Sequence, residues 1–263
     1  VATWHSGNMK LTILGSSGSV GGPTNPASGY LVNVDNSPGL LVDIGPGVLG
    51  QLQEVQDPCD AHVVFSHLHA DHCLDFPSLM VWRRYHPYAP AKGRNLCFGP
   101  STTLGHLGVL SADSPGEVDD MSDTFAFAPW RTGEPHIIDR LTVTPFEAVH
   151  PVEAYCLRIT EHTSGKTIAY SGDTGWTEQL VECARDADVF LCEATWCSGE
   201  GDFPPDMHLS GTEAGRAARL AGVKKLVIVH IPPWGDPEAT LAAARAEFDG
   251  PVEVGQQGQV IEF

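Results

Sequence analysis

The stretch Phe65–Asp75, FSHLHADHCLD, constrains this chain more than any other. His67, His69, Asp71 and His72 fall within six positions, directly after the apolar run Ala61-His62-Val63-Val64-Phe65. Such a run, closed by a polar cluster, reads as a buried strand emptying into a loop. Imidazole nitrogens and a carboxylate are the ligands that Zn2+ and similar divalent ions take. His-x-His-x-Asp-His offers more of them than one tetrahedral ion needs.

Further candidate ligands stand at the ends of other apolar runs. His150 follows Phe146-Glu147-Ala148-Val149, and Pro151 bars strand continuation, leaving the histidine at a rim. Asp173 lies in Ser171-Gly172-Asp173-Thr174-Gly175 after the run Lys166–Tyr170. An aspartate in a glycine turn can equally cap the next helix. Glu193 ends the run Asp188–Cys192, and His230 ends Lys225–Val229. His208 precedes Ser210 and Glu213, a capping box for a helix through Leu220. Read by itself, it is a loop histidine beside a helix start.

Strand-like and helical runs occur in both halves. Tyr30–Val34 and Leu40–Ile44 flank the turn Asn36-Ser37-Pro38-Gly39. A helix is expected after Gly45-Pro46-Gly47 with Val48, Leu49, Leu52 and Val55 on one face, and another over Leu74–Tyr85. The pattern predicts an α/β chain with two sheets face to face and helices outside. Residues 9–263 are read as one domain; residues 1–8 are set aside as an upstream extension or a remnant. The loop Gly15–Pro23 has neither the Gly-Lys-Ser/Thr of a P-loop nor Gly-x-Gly-x-x-Gly. Its glycines suit tight turning and close backbone approach. Residues 111–123 read as an acidic solvated loop, or alternatively as a lid.

Composition narrows the function. Asp and Glu number 33 against 15 Lys and Arg, a formal net charge of -18, so the surface repels polyanions and a small substrate fits better than nucleic acid. Seven scattered cysteines point to reduced thiols rather than a disulfide framework. No apolar run reaches a membrane span and no signal pattern opens the chain, which predicts a cytoplasmic protein with no membrane partner.

Together, His67, His69, Asp71, His72, His150, Asp173 and His230 resemble the site of metallo-β-lactamase superfamily hydrolases, in that family's order. The resemblance implies a four-layer αββα metallo-β-lactamase sandwich with two divalent metal ions at one edge. His67, His69 and His150 would bind one metal, Asp71, His72 and His230 the other, with Asp173 bridging. Family di-iron oxidoreductases tend to carry glutamate at the place of His69, so zinc, or manganese, is expected over iron. Asp173 speaks against a β-lactamase.

Ser171-Gly172-Asp173-Thr174, Glu193-Ala194-Thr195, His208 and Ala221–His230 resemble the phosphodiesterase branch that includes tRNase Z. There a histidine at the place of His208 assists at the phosphate; Glu193 reads equally as the group that orients it or as a buried strand-end carboxylate, and Asp71 is a candidate to receive a proton. The tRNase Z loop Pro-x-Lys-x-Arg-Asn is here Pro23-Thr24-Asn25-Pro26-Ala27-Ser28, without either cation. The interval from His150 to Asp173 leaves no room for a tRNA-binding arm. Trp82-Arg83-Arg84-Tyr85-His86 and His230-Ile231-Pro232-Pro233-Trp234 are similar to segments of actinobacterial cyclic-nucleotide phosphodiesterases, and the cyclic phosphodiesterases associated with C-P lyase also lack the arm. The expectation is a dinuclear phosphodiesterase using a metal-bridging hydroxide on a small cyclic phosphodiester, 3',5'-cyclic AMP foremost. RNA 3'-processing of the tRNase Z kind and thioester hydrolysis of the glyoxalase II kind are the alternatives. Arg83, Arg84 and Trp234 are candidate substrate contacts, and a homodimer is left open.

Overall fold

The structure is a computed structural model that describes residues 8–263. The segment set aside as 1–8 lies outside the described residues except for Asn8. The first half of the chain forms β1 (Met9–Gly15), β2 (Gly29–Val34), β3 (Gly39–Val42), α1 (Val48–Val55), β4 (Ala61–Val64), α2 (Ala70–Cys73), α3 (Phe76–Tyr85), β5 (Asn95–Gly99), α4 (Thr103–Ser111) and β6 (Phe125–Pro129). The second forms β7 (His136–Ile138), β8 (Leu141–Glu147), β9 (Tyr155–Glu161), β10 (Thr167–Tyr170), α5 (Glu178–Ala184), β11 (Val189–Glu193), α6 (Gly211–Ala221), β12 (Leu226–Val229), α7 (Pro237–Glu247), β13 (Val252–Val254) and β14 (Val260–Glu262). Strands β14-β1-β2-β3-β4-β5-β6 make one seven-stranded sheet and β13-β12-β11-β10-β9-β8-β7 the other.

Period-two alternation assigns each strand residue to a layer. Tyr30 and Val32 in β2, Leu40 and Val42 in β3, Ile168 and Tyr170 in β10, and Val227 and Val229 in β12 share one core between the sheets. Their neighbours Leu31, Leu41 and Val63 pack beneath the helices of the first half, with Leu49, Leu52, Phe76 and Leu79. Ala169, Phe190 and Ile228 pack beneath those of the second, with Leu180, Ala214 and Ala218. Strands buried on both faces read as continuous apolar runs, as these do. The result is the expected αββα sandwich. Among the described residues, no helix is long and apolar enough to cross a membrane.

Strand direction places the site. β3 through β6 run parallel, as do β10 through β13, with helices in the crossovers. Two antiparallel steps make β1 parallel to β3 and β8 parallel to β10. The C-terminal ends of β1, β3 and β4 therefore share one edge of their sheet, and those of β8, β10, β11 and β12 one edge of theirs. A parallel bridge from Ser17 to Ile231 and the 2.8 Å bond from His230 N–H to Ser16 O join the two edges. A Cβ at Gly18 would fall 2.2 Å from His230 O, so the glycine loop serves close backbone approach.

Several local expectations are corrected. The helix expected over Leu74–Tyr85 begins two residues later, at Phe76. Asp75 turns its carboxylate to the N–H groups of Gly47 and Leu49, each at 2.9 Å, and Pro77 stands in the first turn of the helix. Val55 is exposed rather than on the buried face of α1. β8 stops at Glu147, so His150 stands in a loop and not at a strand end. The lid reading of residues 111–123 meets a restraint, since the Arg84 guanidinium holds Asp119 at 2.6 Å and Asp123 at 2.9 Å.

Helices α6 and α7 meet through glycine. A Cβ at Gly215 would fall 2.4 Å from Ala244 O. Alanine is the better helix former by ~1 kcal/mol, whereas overpacking costs ~1–3 kcal/mol. With backbone as the obstacle, the second effect is the larger. Gly215→Ala is therefore expected to lower the thermal midpoint, and a midpoint at or above wild type would show that the close approach is not limiting.

Candidate metal centre

Four loops deliver ligands to the joined edges. The segment after β4 carries His67 and His69 and continues into α2 with Asp71 and His72. His150 follows β8, Asp173 follows β10 and His230 follows β12. The structure brings all seven together. They form two groups, His67, His69, His150 with Asp173, and Asp71, His72, His230 with Asp173, in each of which the ligand atoms lie within 4.8 Å of one another. Asp173 is common to both and divides its oxygens. Oδ2 lies 3.5 Å from His67 Nε2 and 3.9 Å from His150 Nε2, while Oδ1 lies 3.2 Å from His72 Nε2 and 3.3 Å from His230 Nε2. Asp173 does not cap α5, which Thr177 caps.

A surrounding set of acceptors fixes the imidazoles. His72 Nδ1 donates to Asp43 Oδ2 at 2.8 Å. His67 Nδ1 donates to Ser66 Oγ at 3.1 Å, and that hydroxyl in turn donates to Asp43 Oδ2 at 2.7 Å. His150 Nδ1 donates to Met207 O at 2.8 Å, and His230 Nδ1 to Thr195 Oγ1 at 2.7 Å. With each Nδ1 proton so engaged, Nε2 presents a lone pair to the centre, which is how second ligands orient metal-binding histidines. His69 faces inward by Nδ1, 3.0 Å from His150 Nε2.

The donor set fits a divalent metal. Around a tetrahedral ion with ~2.0–2.1 Å bonds, ligand atoms stand ~3.3 Å apart. His72 Nε2 lies 3.2 Å from His230 Nε2 and 3.3 Å from Asp71 Oδ2, which is itself 2.9 Å from His230 Nε2. Opposed lone pairs at that distance are bridged either by a shared proton or by a metal ion. His67 Nε2 and Asp173 Oδ1 are buried polar atoms without a hydrogen-bond partner, a cost that coordination removes. Burial, and secondarily the charge on His72, disfavours protonated His67, and burial pushes His150 down to about 4, so both are neutral ligands at neutral pH. Burial opposes ionisation of Asp173, but His230, His72 and His67 outweigh it and hold the carboxyl well below its usual range. Burial likewise opposes a proton on His72, yet Asp173, Asp71 and Asp43 draw one there. The same field draws a metal ion.

His208 stands beside the ligands. Its Nδ1 is 2.8 Å from Glu193 Oε1 and 3.9 Å from Asp173 Oδ2. Glu193 is buried and accepts from Thr174 N at 3.0 Å and Thr195 N at 3.1 Å. Glu193 Oε1 thus takes both Thr174 N and His208 Nδ1, and Glu193, His208 and His230 also lie close enough to form a third candidate group. Arg83 and Arg84, expected as substrate contacts, are not brought to the centre. Arg83 is buried against Thr124 and the carbonyls of Cys59 and Gly93, and Arg84 serves Asp119 and Asp123. Trp234 is 71% exposed on the loop after His230, which excludes an ordinary packed tryptophan. Cys192 and Cys197 are free thiols outside the ligand groups.

Reading the sequence missed Asp43, Ser66, Thr195 and the Met207 carbonyl. Asp43 alone left a signal, a carboxylate closing the apolar run Leu40–Val42 before Ile44. Its φ of 60° and the 62° of His230 are left-handed conformations that L-residues rarely adopt, held here by the ligand edge.

Comparison with known proteins agrees with this geometry. The family described as Beta-lactamase superfamily domain matches residues 39–231. The chain is 54% identical to the uncharacterized protein Rv1339 of Mycobacterium tuberculosis, over 93% of this chain and 89% of that one. It is 27% identical to the ribonuclease Z of Haloferax volcanii, over 97% and 95% of the two chains. The crystal structure of the metallo-β-lactamase fold protein YhfI from Bacillus subtilis superposes with a TM-score of 0.86 at 24% identity, covering 97% of this chain and all of that one. The chain belongs to the β-lactamase superfamily, as a metal-dependent hydrolase akin to its phosphodiesterase-type branch.

Proposed function

We propose that the protein is a dinuclear phosphodiesterase that hydrolyses a small cyclic phosphodiester in the cytoplasm, with 3',5'-cyclic AMP the foremost substrate. One observation carries the reading. His208 is held beside the ligand cluster by Oε1 of the buried Glu193 carboxylate, which backbone N–H groups of Thr174 and Thr195 fix in place. A thiol with pKa about 8.5 leaves a thioester without help, whereas a ribose alkoxide needs a proton. A positioned proton donor at this place favours an ester of an alcohol over a thioester.

The first group offers three imidazoles and a carboxylate, the second two of each, sets that suit zinc. Divalent ions there would polarise the phosphoryl oxygens and lower the pKa of water to near neutrality. The chain's own residues do the rest. Asp71, whose Oδ2 faces His72 and His230, would receive the proton of the attacking water. His208 keeps Nδ1–H on Glu193 and hands a proton from Nε2 to the leaving ribose oxygen. A polynucleotide is disfavoured by the net charge of -18 and by the loop Pro23–Ser28, which carries no cation. The seven free cysteines suit a reducing compartment.

Removing His208 should matter most where the leaving group is poor. His208→Ala is expected to lower kcat on 3',5'-cyclic AMP by about 10²–10⁴-fold, and on bis(p-nitrophenyl) phosphate, whose phenolate leaves unaided, by far less. Equal losses on both would remove the proton-donor role.

Metal analysis of the purified protein is expected to find two divalent ions per chain. Asp173→Asn should lose metal from both groups along with activity. Full occupancy and turnover in that variant would exclude the shared-ligand assignment.

A further inference from the structure

A cleft of about 390 Å3 opens beside the ligand cluster, between the loop after β11 and the N-terminus of α6. His208 lines it, so the cleft begins where the scissile phosphate is expected. Trp176, Trp196 and Phe203 supply aromatic walls and Asp202 and Asp206 supply exposed carboxylates, while Glu213 Oε1 accepts from Ser210 N and Oγ in the cap of α6. No lysine or arginine lines it, which makes it a poor place for a second phosphate. Its volume is at the small end of the ~300–1,000 Å3 of ligand pockets, room for one nucleoside and not for an oligonucleotide.

The aromatic groups are not equally available. Trp196 edges onto His208 at 5.0 Å and stacks on Phe203, with ring centroids 4.5 Å apart and planes 13° from parallel. The Arg216 guanidinium covers Trp176 at 4.9 Å. Phe203, at the outer end of the stack, is 37% exposed. A flat ring laid on Phe203 would extend an existing stack. Carboxylates at the same cleft accept hydrogen bonds and do not donate them, so they select a base carrying an exocyclic amine.

We propose that this cleft is the base subsite of the enzyme, holding an amino-bearing nucleobase, adenine foremost, against Phe203 while the phosphodiester lies at the ligand cluster. The inference rests on the phosphodiesterase reading and specifies which part of the molecule reads the substrate. It also assigns the stacking role away from Trp234, the exposed aromatic on the opposite loop.

The metal-loaded enzyme is assayed on 3',5'-cyclic AMP and on methyl p-nitrophenyl phosphate, which has no base, with Phe203→Ala, Phe203→Tyr and Trp234→Ala as variants. Base–aromatic stacking predicts that Phe203→Ala raises KM for the cyclic nucleotide roughly 5- to 100-fold, leaves kcat within about twofold, and leaves the base-free diester unaffected. Phe203→Tyr should behave as wild type. An unchanged KM in Phe203→Ala, an equal loss on the base-free diester, or a KM increase in Trp234→Ala alone would overturn the assignment. Turnover of the base-free diester with none of any cyclic nucleotide would overturn the subsite and the cyclic-nucleotide substrate while leaving phosphodiester hydrolysis standing; turnover of neither would overturn both.

Discussion

The metal edge depends on one buried carboxylate. Asp43 Oδ2 accepts from His72 Nδ1 at 2.8 Å, from Ser66 Oγ at 2.7 Å and from the Tyr170 hydroxyl at 2.8 Å, while Oδ1 takes Ser66 N at 2.7 Å. These partners come from both sheets. Through Ser66 the carboxylate reaches His67, so a ligand of each group is oriented from the same atom. Asp43 is fully buried, and four donors across its two oxygens offset the cost of burying a carboxylate there. Losing it would leave two imidazoles free to rotate and a tyrosine hydroxyl unpaired.

Around that hub, the interior is built to be incomplete. Fold and site make opposite demands: strand ends are to be packed, yet lone pairs and carboxylates are gathered where packing offers them no hydrogen. The left-handed backbone at Asp43 and His230 belongs to the same compromise, for both residues must leave a buried strand and turn back at once. Such strain persists only where the surroundings over-determine it. Here they do, through Ser16 on one side of His230 and Thr195 on the other.

The sandwich and the seven residues that gather at its edge were legible because both rest on local pattern. Continuous apolar runs announce strands, and a histidine or aspartate shortly after one announces a strand-end loop, as at His67, Asp173 and His230. The orienting atoms were not legible, for a physical reason. Ser66, Thr195 and Met207 act through a hydroxyl or a carbonyl, groups that nearly every residue near a turn can offer, and only the folded geometry selects them. The arginines mislead in the opposite way. Arg83 and Arg84 sit near the ligand motif in sequence, but they stand in the last turn of α3, where Arg83 is buried against Thr124 and Arg84 faces Asp119 and Asp123. Proximity along a chain predicts proximity in space only within one uninterrupted element.

The bond between the Gly-rich loop and the strand end at His230 also sets a schedule. His72 and His230 are 158 positions apart. A ribosome adding ~5–20 residues per second separates their emergence by roughly 8–30 s. Through that interval His67, His69, Asp71 and His72 exist as a half-set on a nascent sheet whose second layer has not been made. The edge closes only when β12 docks between β11 and β13 and brings His230 against Ser16. Maturation of this enzyme is therefore tied to completion of its C-terminal third, and a chain stalled before β12 would hold its metal-binding residues open to solvent.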